Sequence, residues 1–154
     1  YVEQIAQLAE EIFVQHYTKL TPKVARALAQ TYQSDLLTDE QIHSGAINYF
    51  LVYLGSEAVG YFALDLSPAG AVCLSRLFLL EKARGQGIGR SVVSYAQKLA
   101  EGDGRSRLYL KVWTKDLKAE EFCKKCRFRK SEVVPTEVLP GVTLDLATWE
   151  KLWR

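Results

Sequence analysis

Ile5, Leu8, Ala9, Ile12 and Phe13 recur at helical spacing, so the first sixteen or so residues read as an amphipathic helix. Thr21-Pro22 supplies an N-cap and a proline at the first helical position, which opens a second helix through Val24, Leu28 and Ala29. Ser34 to Thr38 reads as a loop. Thr38-Asp39-Glu40-Gln41 then has the form of a capping box that starts a short third helix. From Tyr49 the pattern changes. The aromatic and aliphatic runs Tyr49–Leu54 and Glu57–Leu66 flank Gly55-Ser56 as a β-hairpin, and Ala71–Leu79 follows the turn Ser67-Pro68-Ala69-Gly70 as a third strand. A helical stripe at Ile88, Val92, Ala96 and Leu99 stops at Gly102-Asp103-Gly104. Arg107–Trp113 alternates as a strand with Leu108, Leu110 and Val112 on one face. Lys115–Lys125 returns to helix, with Leu117 and Phe122 as its buried candidates. Phe128–Val134 and Val142–Leu152 read as a last pair of strands around a loop containing proline and glycine, although Leu146-Ala147-Thr148-Trp149 also fits the opening of a helix. Helices, hairpin, strand, helix, strand, helix and strands describe a mixed α/β (α+β) sheet in a single domain spanning residues 1–154.

Composition narrows the class without naming a chemistry. At 154 residues with 48% apolar and 25% charged positions, the chain has room for a real core and the balance of a soluble globular protein. A net charge of +2 argues for neither a nucleic acid nor a membrane surface as partner, and no apolar run reaches the length of a membrane span. One basic cluster stands out from that average, at Lys115, Lys118, Lys124, Lys125, Arg127, Arg129 and Lys130. Three cysteines do not make a disulfide framework, which points to a reducing, cytoplasmic setting. Cys123-x-x-Cys126 falls at the end of a helical pattern with no further Cys or His nearby, so it reads as coincidence rather than a redox or zinc pair. His16 and His43 are isolated and read as structural or surface histidines; no metal site is expected.

The informative stretch is Leu77-Phe78-Leu79-Leu80-Glu81-Lys82-Ala83-Arg84-Gly85-Gln86-Gly87-Ile88-Gly89-Arg90. Strand, glycine turn and helix start, in that order, form a device for holding an anion. Backbone without Cβ atoms approaches a phosphate closely, and the free amides of the first helical turn point at it. A dinucleotide fold wants a third glycine where Arg90 stands and an acidic residue near position 109, where the chain reads Tyr109-Leu110-Lys111. A P-loop needs a Gly-Lys pair, which is missing. The form Arg-x-x-Gly-x-Gly at Arg84–Gly89, directly after a strand ending Leu77-Phe78-Leu79, resembles the acetyl-CoA signature of the GNAT N-acetyltransferase superfamily. Asp116-Leu117-Lys118-Ala119-Glu120-Glu121-Phe122-Cys123-Lys124-Lys125-Cys126-Arg127-Phe128 resembles the block that follows in that family, Asn-x-x-Ala-x-x-Phe-Tyr-x-Lys-x-Gly-Phe. The front half, with Thr18-Lys19-Leu20-Thr21-Pro22, looks most like the branch that contains polyamine acetyltransferases.

The resemblance implies a mostly antiparallel sheet with helices on both faces, a bulged strand before the motif, and a splayed cleft for the cofactor. The family's first strand would lie before Tyr1. It also implies acetyl-CoA as co-substrate. The pantetheine arm would pair with Leu77, Phe78 and Leu79 like an added strand. The pyrophosphate would sit on the amides around Gly85, Gln86, Gly87, Ile88, Gly89 and Arg90, with charge from Arg84 and Arg90. A lysine of the basic cluster would meet the 3′-phosphate. The acceptor would be a primary amine of a small molecule, polyamine-like, or of a peptide, attacking the thioester directly in a monomer or homodimer. Asp35, Asp39 and Glu40 would suit a polycation, and Glu81 and Asp65 are candidates for a base, although all five also read as loop, cap or surface chemistry. The match breaks in the catalytic block. Cys123 stands where the family places a Tyr that protonates the departing thiolate; its reach is shorter, and packing beside the cofactor is the simpler expectation. Asp116 replaces an Asn near the pantetheine amides, where it can accept but not donate, or cap its helix. Arg127 replaces a Gly and puts the usual turn in question. A CoA-binding fold that has lost catalysis and serves as a regulatory module is therefore the rival expectation.

Overall fold

A computed structural model describes residues 1–17 and 19–153, and for residue 35 the backbone alone. Thr18 and the side chain of Asp35, both named above, lie outside the described residues. The elements run α1 (Val2–His16), α2 (Pro22–Gln33), α3 (Asp35–Ser44), β1 (Ile47–Leu54), β2 (Glu57–Asp65), β3 (Ala71–Leu79), a 3-10 turn (Glu81–Ala83), α4 (Ile88–Gly102), β4 (Arg107–Trp113), α5 (Leu117–Lys125), β5 (Arg129–Leu139) and β6 (Val142–Leu152). The six strands form one sheet in the order β1-β2-β3-β4-β6-β5. Every neighbouring pair is antiparallel except β3 and β4.

Apolar side chains fill both faces of this sheet. Because successive strand residues point to opposite sides, β2 sends Phe62 and Leu64 to one core and Val59 and Tyr61 to the other. The first core takes Val92, Val93 and Ala96 from α4 and Cys123 from α5. The second takes Ile5, Leu8 and Ile12 from α1 and Leu28 from α2. The stripes predicted for α1, α2 and α4 carry buried residues of those helices, and helices cover both faces.

Four local expectations change. The third helix starts earlier than its capping box: Ser34 Oγ accepts the amide of Leu37 at 3.2 Å, so Asp35–Thr38 is helix and not loop. Thr38 is instead buried, its hydroxyl accepting from Gln33 Nε2 at 3.1 Å. Ser34 is as competent a cap as Thr38, and the buried glutamine claims the later hydroxyl. β5 runs further than expected, to Leu139, while β6 keeps the expected Val142–Leu152; residues 146–149 are strand, paired on both sides. β5 continues through Pro135, which lies opposite Asp145 on an outer strand of the sheet, where a missing N–H costs no ladder bond. Leu117 is not buried; it is 64% exposed at the start of α5.

The feature that positions the site is a failure of pairing. β3 and β4 pair only from Ala71 to Cys73 against Arg107 to Tyr109, and beyond that they separate. On its other side β3 pairs with β2 as far as Leu79, with an irregularity that places Ala63 opposite Arg76 and Leu64 opposite Leu74. Ser75 is the extra residue of this bulge, which bends the strand away from β4. The splayed, bulged strand expected before the glycine motif is present.

Candidate active site

The opening between β3 and β4 is a cavity of about 770 Å³. Leu77 and Leu79 line it from β3, Trp113 from the end of β4, and Leu117, Lys118, Ala119, Phe122 and Lys125 from α5. Past Cys73 the edge of β3 that faces β4 has no ladder partner, so its backbone groups are available to a ligand.

At one end the cavity meets the glycine loop. Arg84, Gly85, Gly87, Ile88, Gly89 and Arg90 all line it. Gly85 and Gly87 take the left-handed conformation, φ 75° and 79°, and so turn the chain from the 3-10 segment into α4. Gly87 is the N-cap of α4 and brings no side-chain acceptor. The first bond closing on the cap carbonyl is Ser91 N–H to Gly87 O, at 3.1 Å, which leaves the earlier amides of the turn ahead of the ladder. Gly89 has a different reason to be glycine: a Cβ there would lie 2.6 Å from the Phe122 ring, so α5 can close against this turn only without one. Arg84 Nε donates to the Leu79 carbonyl at 3.2 Å, while its Nη2 is buried without a partner. An orphaned guanidinium nitrogen beside free helix amides is the donor set that a phosphate ester satisfies. Lys115, Lys118 and Lys125 add positive charge along the cavity, whereas Lys130 of the same cluster pairs with Glu120 at 3.2 Å.

Two of the expected cofactor residues do not face this cavity. The Phe78 ring turns toward α1, with its centroid 4.7 Å from that of Phe13 and 5.7 Å from that of Tyr61. Alternation along the strand accounts for this, since Leu77 and Leu79 take the cavity side. The Gln86 side chain folds back, its Nε2 donating to the Lys82 carbonyl at 2.9 Å. For both, the backbone is what remains near the site.

Asp116 lines the cavity, and both its oxygens are engaged. Oδ1 accepts the Ala119 amide at 3.1 Å and caps α5. Oδ2 lies 2.5 Å from His16 Nε2. Burial pushes the Asp116 carboxyl up, but the His16 hydrogen bond and charge, the Ala119 amide and the Arg84 charge outweigh it and hold it below the usual range. His16 is thus not an isolated histidine. It closes α1, lines the cavity with Gln15 and Lys19, and is joined to a residue 100 positions away. No local pattern could have shown that pair.

Cys123 is fully buried in the core shared with α4, and the cavity wall passes through its neighbour Phe122. Burial pushes its thiol up to about 12, with Cys126, Glu120 and Asp116 adding to the shift. The candidate acceptor and base residues also lie elsewhere. Asp39 sits on the exposed face of α3 near His43, at 3.4 Å, and Glu40 is exposed beside it. Asp65 accepts from the amide and hydroxyl of Ser67 in the β2–β3 turn, and Glu81 borders a separate hollow with Glu11 and Lys82. Among the described residues, no three His, Cys, Asp or Glu side chains gather as metal ligands. No helix is long and apolar enough to cross a membrane.

Comparison with known proteins agrees with this geometry. The acetyltransferase (GNAT) family model matches residues 4–128, which span the cleft, the glycine loop and α5. The chain belongs to the GNAT acetyltransferase family. It is an acetyl-CoA-dependent N-acetyltransferase. No curated protein matches it by sequence. Among solved structures, PaiA N-acetyltransferase from Thermoplasma acidophilum, in complex with coenzyme A, superposes with a TM-score of 0.78 at 20% identity, over 99% of this chain and 92% of that one. A GCN5-related N-acetyltransferase from Rhodopseudomonas palustris gives 0.81 at 16% identity, over 99% and 89%. A chimeric spermidine N-acetyltransferase SpeG from Vibrio cholerae gives 0.63 at 18% identity, over 77% and 74%. At these identities the likeness is one of fold, and the GNAT sheet with its open cleft is that fold.

Proposed function

We propose that this chain acetylates a primary amine of a small molecule or peptide, and that the β3–β4 opening with the glycine loop is where it holds acetyl-CoA. The observation that carries the reading is the buried, unpartnered Arg84 Nη2 at the mouth of a cleft that ends on the free amides of α4. Backbone groups of Leu77, Phe78 and Leu79 hold the pantetheine arm by completing the pairing that β4 abandons. The amides of the Gly85–Arg90 turn, with Arg84 and Arg90, hold the pyrophosphate. Lys115, Lys118 and Lys125 lie where further phosphate charge can be met. When bound, acetyl-CoA supplies a thioester carbonyl that a neutral amine can attack.

Each oxygen of Asp116 already has a partner within the protein, and its work is to cap α5 and to hold His16. Cys123 packs the core; a thiol this buried, and held at about 12, is a poor donor toward a thiolate whose reference value is about 8.5. Charge does not single out a polyamine. Asp116 is the one acidic side chain among the described residues lining the cavity, against Lys19, Arg84, Arg90, Lys115, Lys118 and Lys125. The acceptor class is therefore left to chemistry at the amine itself.

Thiol release from acetyl-CoA is the direct test, with spermidine, a lysine-bearing peptide and an aminoglycoside as acceptors. Release with at least one amine is expected. Arg84→Gln is expected to weaken CoA binding about tenfold, the loss of one charge-assisted phosphate contact. Tight CoA binding with no turnover on any amine would instead make the chain a cofactor-binding module, and unchanged affinity in the Arg84 variant would remove the phosphate assignment.

A further inference from the structure

The His16–Asp116 pair crosses the cleft. His16 ends a helix that packs on one face of the sheet, and Asp116 caps a helix on the other. They meet at 2.5 Å through the gap where β3 and β4 have parted. Their side chains are only 21% and 11% exposed. The Phe78 and Tyr17 rings meet the imidazole edge-on, at 5.7 and 4.8 Å between centroids, and so hold its plane.

This arrangement decides the imidazole's tautomer. An ionised carboxylate only accepts hydrogen bonds, so Nε2 must carry the proton it shares with Asp116. Nδ1 is then the basic nitrogen. No hydrogen bond to Nδ1 occurs among the described residues, and His16 faces the cavity. We propose that His16 Nδ1 is the proton acceptor for the amine substrate, with Asp116 as its positioning residue. The inference rests on the acetyl-transfer reading above and deepens it.

The proton and bond balance closes without a further acid. An ammonium group with a pKa near 10 is not nucleophilic at neutral pH. Nδ1 takes one proton from it and becomes imidazolium, whose charge Asp116 offsets. The freed lone pair forms the N–C bond to the thioester carbonyl. The C–S bond breaks, and the sulfur takes the second proton from the amine nitrogen. Imidazolium then loses its proton to water. Because the amine itself can supply the thiolate's proton, the missing Tyr at position 123 does not stop the reaction. The charged and titratable groups that share this environment are Asp116, Arg84, Lys115, and Tyr17 and Lys19 at the end of α1, with Arg76 acting on Tyr17 from β3. Burial, first, and then Asp116 push the Tyr17 phenol up, so it stays neutral.

The test uses the whole chain with His16→Gln and Asp116→Asn. In the ligand-free protein, nitrogen-correlated NMR of the two histidines reads the tautomer directly, with His43 as the internal reference. His16 is expected as the Nε2–H form, and as a tautomer mixture in Asp116→Asn. In turnover, His16→Gln is expected to lose about 100-fold or more in kcat/KM at pH 7, the usual range for a positioned base. The loss should shrink as pH rises toward the amine's own pKa, and CoA affinity should stay unchanged. Asp116→Asn should lose rate in the same direction. Three results overturn the proposal: an Nδ1–H tautomer in the ligand-free protein, a His16→Gln variant with wild-type rate and pH profile, or one that loses CoA affinity while kcat is kept. A wild-type chain that binds CoA and turns over no amine overturns the functional reading, and the proton role falls with it.

Discussion

The glycine loop and the His16–Asp116 pair line one cavity, yet they are built in opposite ways. Arg84 to Arg90 is a single run of seven residues whose function comes from backbone conformation: two left-handed glycines, a helix start without a side-chain cap, and one arginine turned inward. The pair is made of side chains alone, and its partners are brought together only when two helices dock on opposite faces of a splayed sheet. The first can be damaged at one backbone position without touching the rest of the molecule. The second depends on everything that sets the angle between β3 and β4. Local construction suits the part proposed to hold a common phosphate group, and long-range construction suits the part proposed to meet a particular amine.

The largest effect that separates the two regions is expected from Gly87→Glu. A side chain at φ 79° is strained, and a carboxylate at the helix N-cap would repel phosphate. CoA affinity should fall at least about 100-fold by calorimetry, equivalent to about 2.7 kcal/mol. The His16 tautomer in the ligand-free protein should not move. If the two change together, the regions are not independent and the contrast is wrong.

Cys123→Ala bears on the other side. Removing a buried sulfur should cost about 1 kcal/mol of stability in a denaturant melt, within the range for small core truncations. Turnover per folded molecule should be unaffected. A drop in kcat with stability restored by low temperature would return Cys123 to the chemistry and weaken the claim that the acid position is vacant.

Arg127→Gly should have the smallest effect. Arg127 is the one described non-glycine residue with a positive φ, 65°, just after α5. Its amide donates to the Lys124 carbonyl at 3.0 Å, and the Phe128 amide reaches Cys123 at 2.9 Å. The turn that the family makes with glycine is therefore kept, at a cost in strain. Glycine there should raise stability by up to about 1 kcal/mol, the left-handed penalty less glycine's own entropy. CoA affinity and rate should stay the same, since Arg127 is not among the residues lining the cavity.

Most of the fold was legible because most of its signals are short. The Thr21-Pro22 cap, the Gly55-Ser56 hairpin, the stripe at Val92 and Ala96, and the alternation at Leu108, Leu110 and Val112 each lie within a few residues of what they control. The errors have the same origin in reverse. Thr38 looked like a cap until a buried glutamine used its hydroxyl, and Leu117 looked like core until the cavity opened beside it. The residue-by-residue likeness of the last block carried Cys123 to a tyrosine's place, but likeness of position says nothing about which way a shorter side chain is packed.

What the amino-acid order determined by itself is the glycine turn ahead of α4, because glycine conformations, a helix start and a following amphipathic stripe are all set by neighbours in the chain. The bulge at Ser75, the separation of β3 from β4, the burial of Cys123 and the meeting of His16 with Asp116 were decided only by the tertiary structure. Each depends on contacts between segments far apart in sequence, and the packing of both sheet faces, not any local preference, selects among them.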